Sequence, residues 1–310
     1  MKEHKLDIWK RFWIYQKERF PIFAHGLLIF MFTFSAISYS RICRQQEGFI
    51  DWSDFMAGFI TTFCLFLLLR ILDEFKDADI DAKYRKELPV PRGLVKLSEL
   101  KILGFLVAAL QVAVILIFHP SMIVFYIIVM IWLALMTVEF FAHDWLSNHL
   151  FFYVASHMVI IPLVDIYASG LDWYLSGVPP HLGLLFFFGV SYFNGIVLEI
   201  GRKLKAPSKE KEGVVTYSGM HGYHKGANLW MFFLFITGVI ASVACYYAKL
   251  SPISYLVLGM IFLICIVFAQ RYKSDPESKA SKHIEILSGL WTLLMYGVLG
   301  GIPGLIFILK

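Results

Sequence analysis

The sequence predicts an all-α integral membrane protein with nine transmembrane helices in a single bundle, on three observations. Hydrophobic residues make up 58% of the 310-residue chain and charged ones 16%, with a mean hydropathy of +0.68, a mix outside that of water-soluble domains. Apolar runs of about 17–20 residues recur nine times, each long enough at ~1.5 Å per residue to cross a hydrocarbon layer of roughly 30 Å. The runs are continuous rather than alternating, which excludes barrel strands and leaves helices to satisfy the backbone in lipid.

The elements follow in order. Residues 1–20 interleave Trp9, Phe12, Trp13 and Phe20 with Lys10, Arg11, Lys17 and Arg19, the pattern of an amphipathic helix lying in the membrane interface. The long charged leader, with no A-x-A-like site after the first apolar run, argues against a cleavable signal peptide. The expected spans are Pro21–Ser40, Phe55–Leu72, Ile102–Phe118, Met122–Phe141, Leu150–Ile166, Leu182–Leu198, Leu229–Ala248, Ile253–Ala269 and Leu290–Leu309. Of the 28 lysines and arginines, all but Arg41, Arg44, Lys249 and Lys310 fall on the side of the N-terminus, which the positive-inside rule places in the cytoplasm. The net charge of +5 then describes loops meeting anionic headgroups or phosphates, with no nucleic-acid partner. Cys43, Cys64, Cys245 and Cys265 form no C-x-x-C pair and read as small apolar residues.

Two long polar stretches, 73–101 after the second span and 199–228 after the sixth, lie on that same side. Their four-span separation suggests a duplicated four-helix unit, although residue identity hardly repeats. With the other loops short, the whole of 1–310 reads as one compact transmembrane domain carrying two long cytoplasmic polar loops.

The first stretch opens DEFKDADID, five carboxylates in nine residues. Asp73, Asp77 and Asp81 are spaced i, i+4, i+8 and stack along one helix face. Three like charges so placed repel unless a cation sits among them, and Mg²⁺ takes one or two carboxylates, completing its shell with water and substrate phosphate. The competing interpretation is a solvated helix end neutralised by Lys76, Lys83, Arg85 and Lys86. Glu74 and Asp79 point elsewhere and read as solvated. Pro89, Pro91 and Gly93 end the helix and shape a tight return that would bring Lys86 and Arg92 back over the acids.

DEFKDADID followed by LPVPRG resembles the first signature of the UbiA superfamily of intramembrane prenyltransferases, N-D-x-x-D-x-x-x-D and then R-P-[IL]-P-[SR]-G. Nine spans and the motif's place after the second also match, so the resemblance covers essentially the whole chain. Asp73 stands for the usual Asn, Glu74 for Asp and Leu88 for Arg; the last change removes a phosphate-binding charge that Lys86 or Arg92 can replace. The family's second motif, D-x-x-x-D and then G-x-x-T, is matched by Gly213 and Thr216 but poorly by its acids: Glu199 takes the first position and Lys203 the second. Arg202, Lys203 and Lys205 make that end cationic, as direct diphosphate contacts would require in place of a second ion. An i, i+4 ion pair between Glu199 and Lys203 is the alternative. Glu210 and Glu212 read as solvated.

Polar residues at membrane depth are costly and therefore informative. Asn194, Asp165, Glu139 and His157 qualify, and His143, Asp144 and His149 occupy the loop after the fourth span, where many members of the family carry Lys or Arg. Glu139, His143, Asp144 and His157 are candidate acceptor-side bases, each also accountable as a structural hydrogen-bonding group. The aromatic content of 17% offers rings to line a cation-stabilising pocket, and interfacial belts and lipid-facing packing account for most of it.

The resemblance implies Mg²⁺-dependent transfer of a prenyl group from a prenyl diphosphate to an aromatic or other small lipidic acceptor. In it, Asp73, Asp77, Asp81 and Glu199 would hold metal, and Lys86, Arg92, Arg202, Lys203 and Lys205 would take diphosphate oxygens. A terpene cyclase of the same superfamily, with no acceptor, is one alternative. A cation transporter is another, disfavoured because the acids cluster at the membrane face rather than on broken helices at mid-depth.

Overall fold

The computed structural model describes residues 6–211, 213–277 and 279–309. Among these, nine helices are long and apolar enough to cross a membrane. Lys310 and Glu212 lie outside the described residues.

The chain divides into two compact units, Met1–Phe30 with Trp52–Asp144, and Met31–Asp51 with Trp145–Lys310. The first unit contains α1 (Ile8–Arg19), the start of α2 (Ile22–Cys43), α3 (Trp52–Lys76), α4 (Ala78–Tyr84), α5 (Leu97–Phe118), α6 (Ile123–Thr137) and the start of α7 (His143–Asn148). The second contains the rest of α2 and α7, then α8 (Leu150–Met158), α9 (Ile160–Trp173), α10 (Gly183–Arg202), α11 (Tyr217–His221), α12 (Tyr223–Tyr247), α13 (Pro252–Ser274), α14 (Ala280–Tyr296) and α15 (Ile302–Ile308).

Several helices run past their apolar stretches. The second span reaches Lys76 and the sixth Arg202, because charged residues in the last turn keep their heads in water while the backbone ladder continues. The fourth apolar run, expected through Phe141, is cut short at Thr137. Glu139, Phe140 and Phe141 there adopt φ of 48°, 53° and 58°, a left-handed turn that no right-handed helix can contain. Such a conformation costs about 1–2 kcal/mol per non-glycine residue.

In the first unit, α3 packs on α5 around a core of Tyr15, Ile71, Leu94, Val95 and Leu100. The α1 helix turns Arg11 and Tyr15 inward and leaves Trp9 and Trp13 exposed, with Lys17 over the Trp13 ring. That outward pair of indoles beside a lysine suits an interfacial position. Arg11 pairs with Glu99 at the start of α5. Exposed apolar side chains such as Phe105, Leu106 and Ile117 on α5 form a surface that lipid, not water, can cover.

In the second unit α10 is central, packing on α9, α12 and α14. Asp172 on α9 is buried; it accepts from Ser40 at 2.7 Å, Arg41 at 3.1 Å and Arg44 at 2.9 Å. After Tyr296 the last span passes through a π turn, Gly297–Gly301. A Cβ on Gly300 would stand 2.2 Å from the Ser35 carbonyl oxygen, backbone that cannot step aside. Gly300→Ala is therefore expected to destabilise the protein by at least the ~1–3 kcal/mol typical of overpacking, read as a lower thermal midpoint in detergent.

Candidate functional site

The first acidic stretch is held by its backbone. The amide of Asp77 donates to Asp73 O at 2.9 Å, that of Asp81 to Asp77 O at 2.8 Å and that of Arg85 to Asp81 O at 2.9 Å. The i, i+4 ladder thus runs through the junction of α3 and α4, where Asp77 sits at φ −90°, ψ 4°, and the three aspartates follow one another a turn apart as their spacing predicts. Their surroundings differ. Asp73 keeps 39% of its side chain exposed, 3.7 Å from Arg70, and Asp77 is partly exposed. Asp81 is buried, 3.2 Å from Arg85 and 3.8 Å from Arg19. Burial raises its pKa; Arg85 and Arg19 oppose that shift, while Asp77 and Glu74 add to it.

Glu74, expected to be solvated, is instead the anchor of this unit. It is 2% exposed and accepts from Arg19 at 2.5 Å, Arg70 at 3.2 Å and the Tyr15 hydroxyl at 3.5 Å. Asp79 is exposed. The return loop has Leu94 donating to Pro89 O at 2.9 Å and Gly93 to Val90 O at 3.0 Å, and Gly93 takes φ +79°, which glycine allows without strain. Arg92, expected over the acids, is held by Glu18, to which its two terminal nitrogens donate at 2.8 and 2.9 Å. This contact holds the Glu18 carboxyl below its ordinary pKa. Lys86 is exposed.

Glu139 closes the same unit from the other end. Its carboxylate is 3.2 Å from Lys76, the residue preceding Asp77, and contacts His143 Nδ1. The His143 side chain is 70% exposed, and Asp144 is exposed. The left-handed turn carries this carboxylate at its first residue, and the Trp132 and Phe140 rings meet edge to face at 5.3 Å. Backbone held in an unfavourable region by its surroundings is a mark of functional segments.

In the second unit Glu199 is engaged by two of the cations predicted to bind phosphate, Arg202 at 2.5 Å and Lys203 at 2.8 Å, while Lys205 is 3.4 Å from Glu285. The main chain around these bases is fixed. Tyr217 N donates to Lys203 O at 3.1 Å, Lys205 N to the Ser218 hydroxyl at 2.9 Å, and the Tyr272 hydroxyl to Lys205 O at 2.6 Å. Glu210, expected to be solvated, latches the loop by accepting from Thr216 and Ser218 at 2.6 Å each. Thr216 of the G-x-x-T element in turn caps α11 by accepting from Gly219 N at 3.0 Å. Burial, with the Glu199 charge adding, pushes the Tyr217 phenol above its ordinary pKa. His157 is buried, stacked on Tyr153, with Nδ1 2.7 Å from Tyr153 O.

No group of three or more His, Cys, Asp or Glu among the described residues is arranged to hold a metal. Asp73 and Asp77 nevertheless fit Mg²⁺: they are hard oxygen donors one turn apart and open to solvent, and this ion needs few protein ligands when water and phosphate supply the others. Asp81, between two arginines, and Glu199, between an arginine and a lysine, already have their charge met.

The family model of the UbiA prenyltransferase family matches residues 21–302. No curated protein matches the chain. Among solved structures, one titled as an apo UbiA homolog from Aeropyrum pernix K1 superposes with a TM-score of 0.67 at 12% identity, covering 92% of this chain and 98% of that one. Another, from work on digeranylgeranylglyceryl phosphate synthase in membranes, superposes with a TM-score of 0.59 at 17% identity, covering 94% and 99%.

Proposed function

The chain belongs to the UbiA prenyltransferase family, multi-pass membrane enzymes of prenyl transfer, and from that premise we propose a Mg²⁺-dependent transfer from a prenyl diphosphate to an aromatic or other small lipidic acceptor. The observation that carries this proposal is the Asp73–Asp77 pair, two accessible carboxylates on an unbroken ladder whose flanks are fixed by Glu74 and Asp81. Such rigidity is what a site must have to hold charge where it develops. When bound, the ion offsets negative charge on the departing diphosphate. Arg202, Lys203 and Lys205 are assigned to diphosphate oxygens by their place in the family's second motif. Their fixed backbone supports that role, since donors already in position need not reorganise. Binding would require Arg202 and Lys203 to share or leave Glu199. Arg92 and Lys86 are secondary candidates, Arg92 being committed to Glu18. The concentration of Lys and Arg on the side of both stretches supports a cytoplasmic site.

Glu139 and His143 supply what an acceptor needs. Glu139 fixes Nδ1 of His143, which leaves Nε2 to take the acceptor's proton as the new bond to the prenyl carbon forms. Glu139→Gln should cut prenyl transfer by about 10²-fold while diphosphate release persists, with water capturing the prenyl group as its alcohol. Equal loss of both activities would sink this assignment. The test of the whole proposal is diphosphate release by purified protein with C10 to C20 prenyl diphosphates and Mg²⁺, with and without a lipid and phenolic extract. Release that depends on extract and yields a prenylated acceptor is expected; extract-independent release with a new hydrocarbon would make the enzyme a cyclase.

A further inference from the structure

Within the second unit, a polar cluster sits at membrane depth away from both charged stretches. Asp165 on α9 and Ser191 on α10 are fully buried, Asn194 on α10 is 1% exposed, and Tyr296 at the end of α14 is buried. Ser191 and Asn194 are three apart and share one helix face. The Tyr296 hydroxyl donates to Ser191 Oγ at 3.2 Å, Ser191 stands beside Asp165, and Tyr296 has both Asp165 and Asn194 for neighbours. Among the described residues, neither oxygen of Asp165 and neither polar atom of the Asn194 amide completes a hydrogen bond of good geometry, although Ser191 lies within reach of Asp165 and Asn194 within reach of Tyr296.

A buried carboxylate in lipid must be protonated, paired or bound to a cation. No lysine, arginine or histidine is among its neighbours in this cluster. A neutral acid would be settled by facing the Asn194 amide, each group donating one hydrogen bond to the other, and no such bond is made among the described residues. The groups are also rich in acceptors: two carboxylate oxygens, an amide oxygen and two hydroxyl oxygens, with the Tyr296 proton already directed at Ser191. Oxygens gathered around one negative charge, with only the Tyr296–Ser191 hydrogen bond made among them, match a small hard cation. One carboxylate balances one positive charge, so a monovalent ion leaves the membrane interior neutral and a divalent one does not.

The backbone beside the cluster agrees. The π turn starts at Gly297, directly after Tyr296, and the Ser35 hydroxyl donates to Tyr296 O at 2.7 Å. Turns of this kind re-aim a side chain at the expense of helix regularity and are frequent at functional sites.

We propose that Asp165, Ser191, Asn194 and Tyr296 form a binding site for a dehydrated alkali cation, Na⁺ foremost, which ties α9, α10 and α14 together. Asn194 and Ser191 lie about one and a half and two turns before Glu199 along α10. The test is thermal unfolding of the full-length protein in detergent at constant ionic strength, with NaCl or KCl replacing choline chloride. A saturable rise in Tm of about 2–5 °C with the alkali salt, absent in Asp165→Asn, is the expected result. Equal midpoints in all three salts would overturn the proposal, as would an Asp165→Asn variant with unchanged cation response. Were that variant not to fold, Asn194→Ala must lower the apparent cation affinity by about tenfold or more, and an unchanged titration in it overturns the site.

Discussion

Asp77→Asn lowers Mg²⁺-dependent diphosphate release by about 10²–10³-fold, the loss typical when one preorganised charge-stabilising group is removed. The change keeps the shape of the side chain and the Asp77 backbone amide, whose bond to Asp73 O holds the ladder, so thermal stability should hardly move. Two neighbours make the comparison sharp. Asp81→Asn alters a carboxylate already placed between Arg85 and Arg19, so its activity loss should be smaller and its effect on stability larger. Asp79→Asn, at an exposed position, should change neither. Measured release that ranks Asp79 with Asp77 would remove the basis for a site on the 73–77–81 face.

Glu74→Ala is expected to be the most damaging single change to the first unit. It leaves Arg19 and Arg70, whose side chains are 12% and 16% exposed, with only their longer contacts to Asp81 at 3.8 Å and Asp73 at 3.7 Å. Breaking a buried pair in this way costs about 3–5 kcal/mol, a large share of the stability of most proteins. The loss should appear as a lower thermal midpoint and lower recovery from the membrane. Arg19→Ala tests the same anchor from α1 and leaves Asp81 with Arg85, lowering activity together with stability. If Glu74→Ala unfolds at the wild-type temperature, the anchor is ornamental and the alignment of Asp73 and Asp77 has another cause.

The spans and the aspartate face were legible because both are local. Twenty apolar residues specify a span by their own solvation, and i, i+4 spacing specifies a face by helix geometry alone. The ion pair of Glu199 with Lys203 was legible by the same spacing. What escaped depends on partners far along the chain. Glu74 stands i, i+4 from Arg70, but its other partners Arg19 and Tyr15 lie 55 and 59 residues away. The left-handed turn at Glu139–Phe141 contains no glycine or asparagine to announce it; its Glu139 contact comes from Lys76, on another helix. Glu210 is an intermediate case. Thr216 and Ser218 follow it closely, and a Thr ahead of a short helix is an N-cap signal, so the latch could have been inferred from the run EKEGVVTYS.

The pairing of Asp172 with Arg41 and Arg44 bears on the order in which the chain is made. Arg44 leaves the ribosome 128 residues before its counter-ion; at roughly 5–20 residues per second that interval lasts on the order of ten seconds. During it the end of α2 carries two positive charges that no carboxylate of the finished fold has yet reached. The pair closes only as α9 arrives. In a nascent chain stalled before Asp172, Arg41 and Arg44 lack the carboxylate that pairs with both in the finished fold.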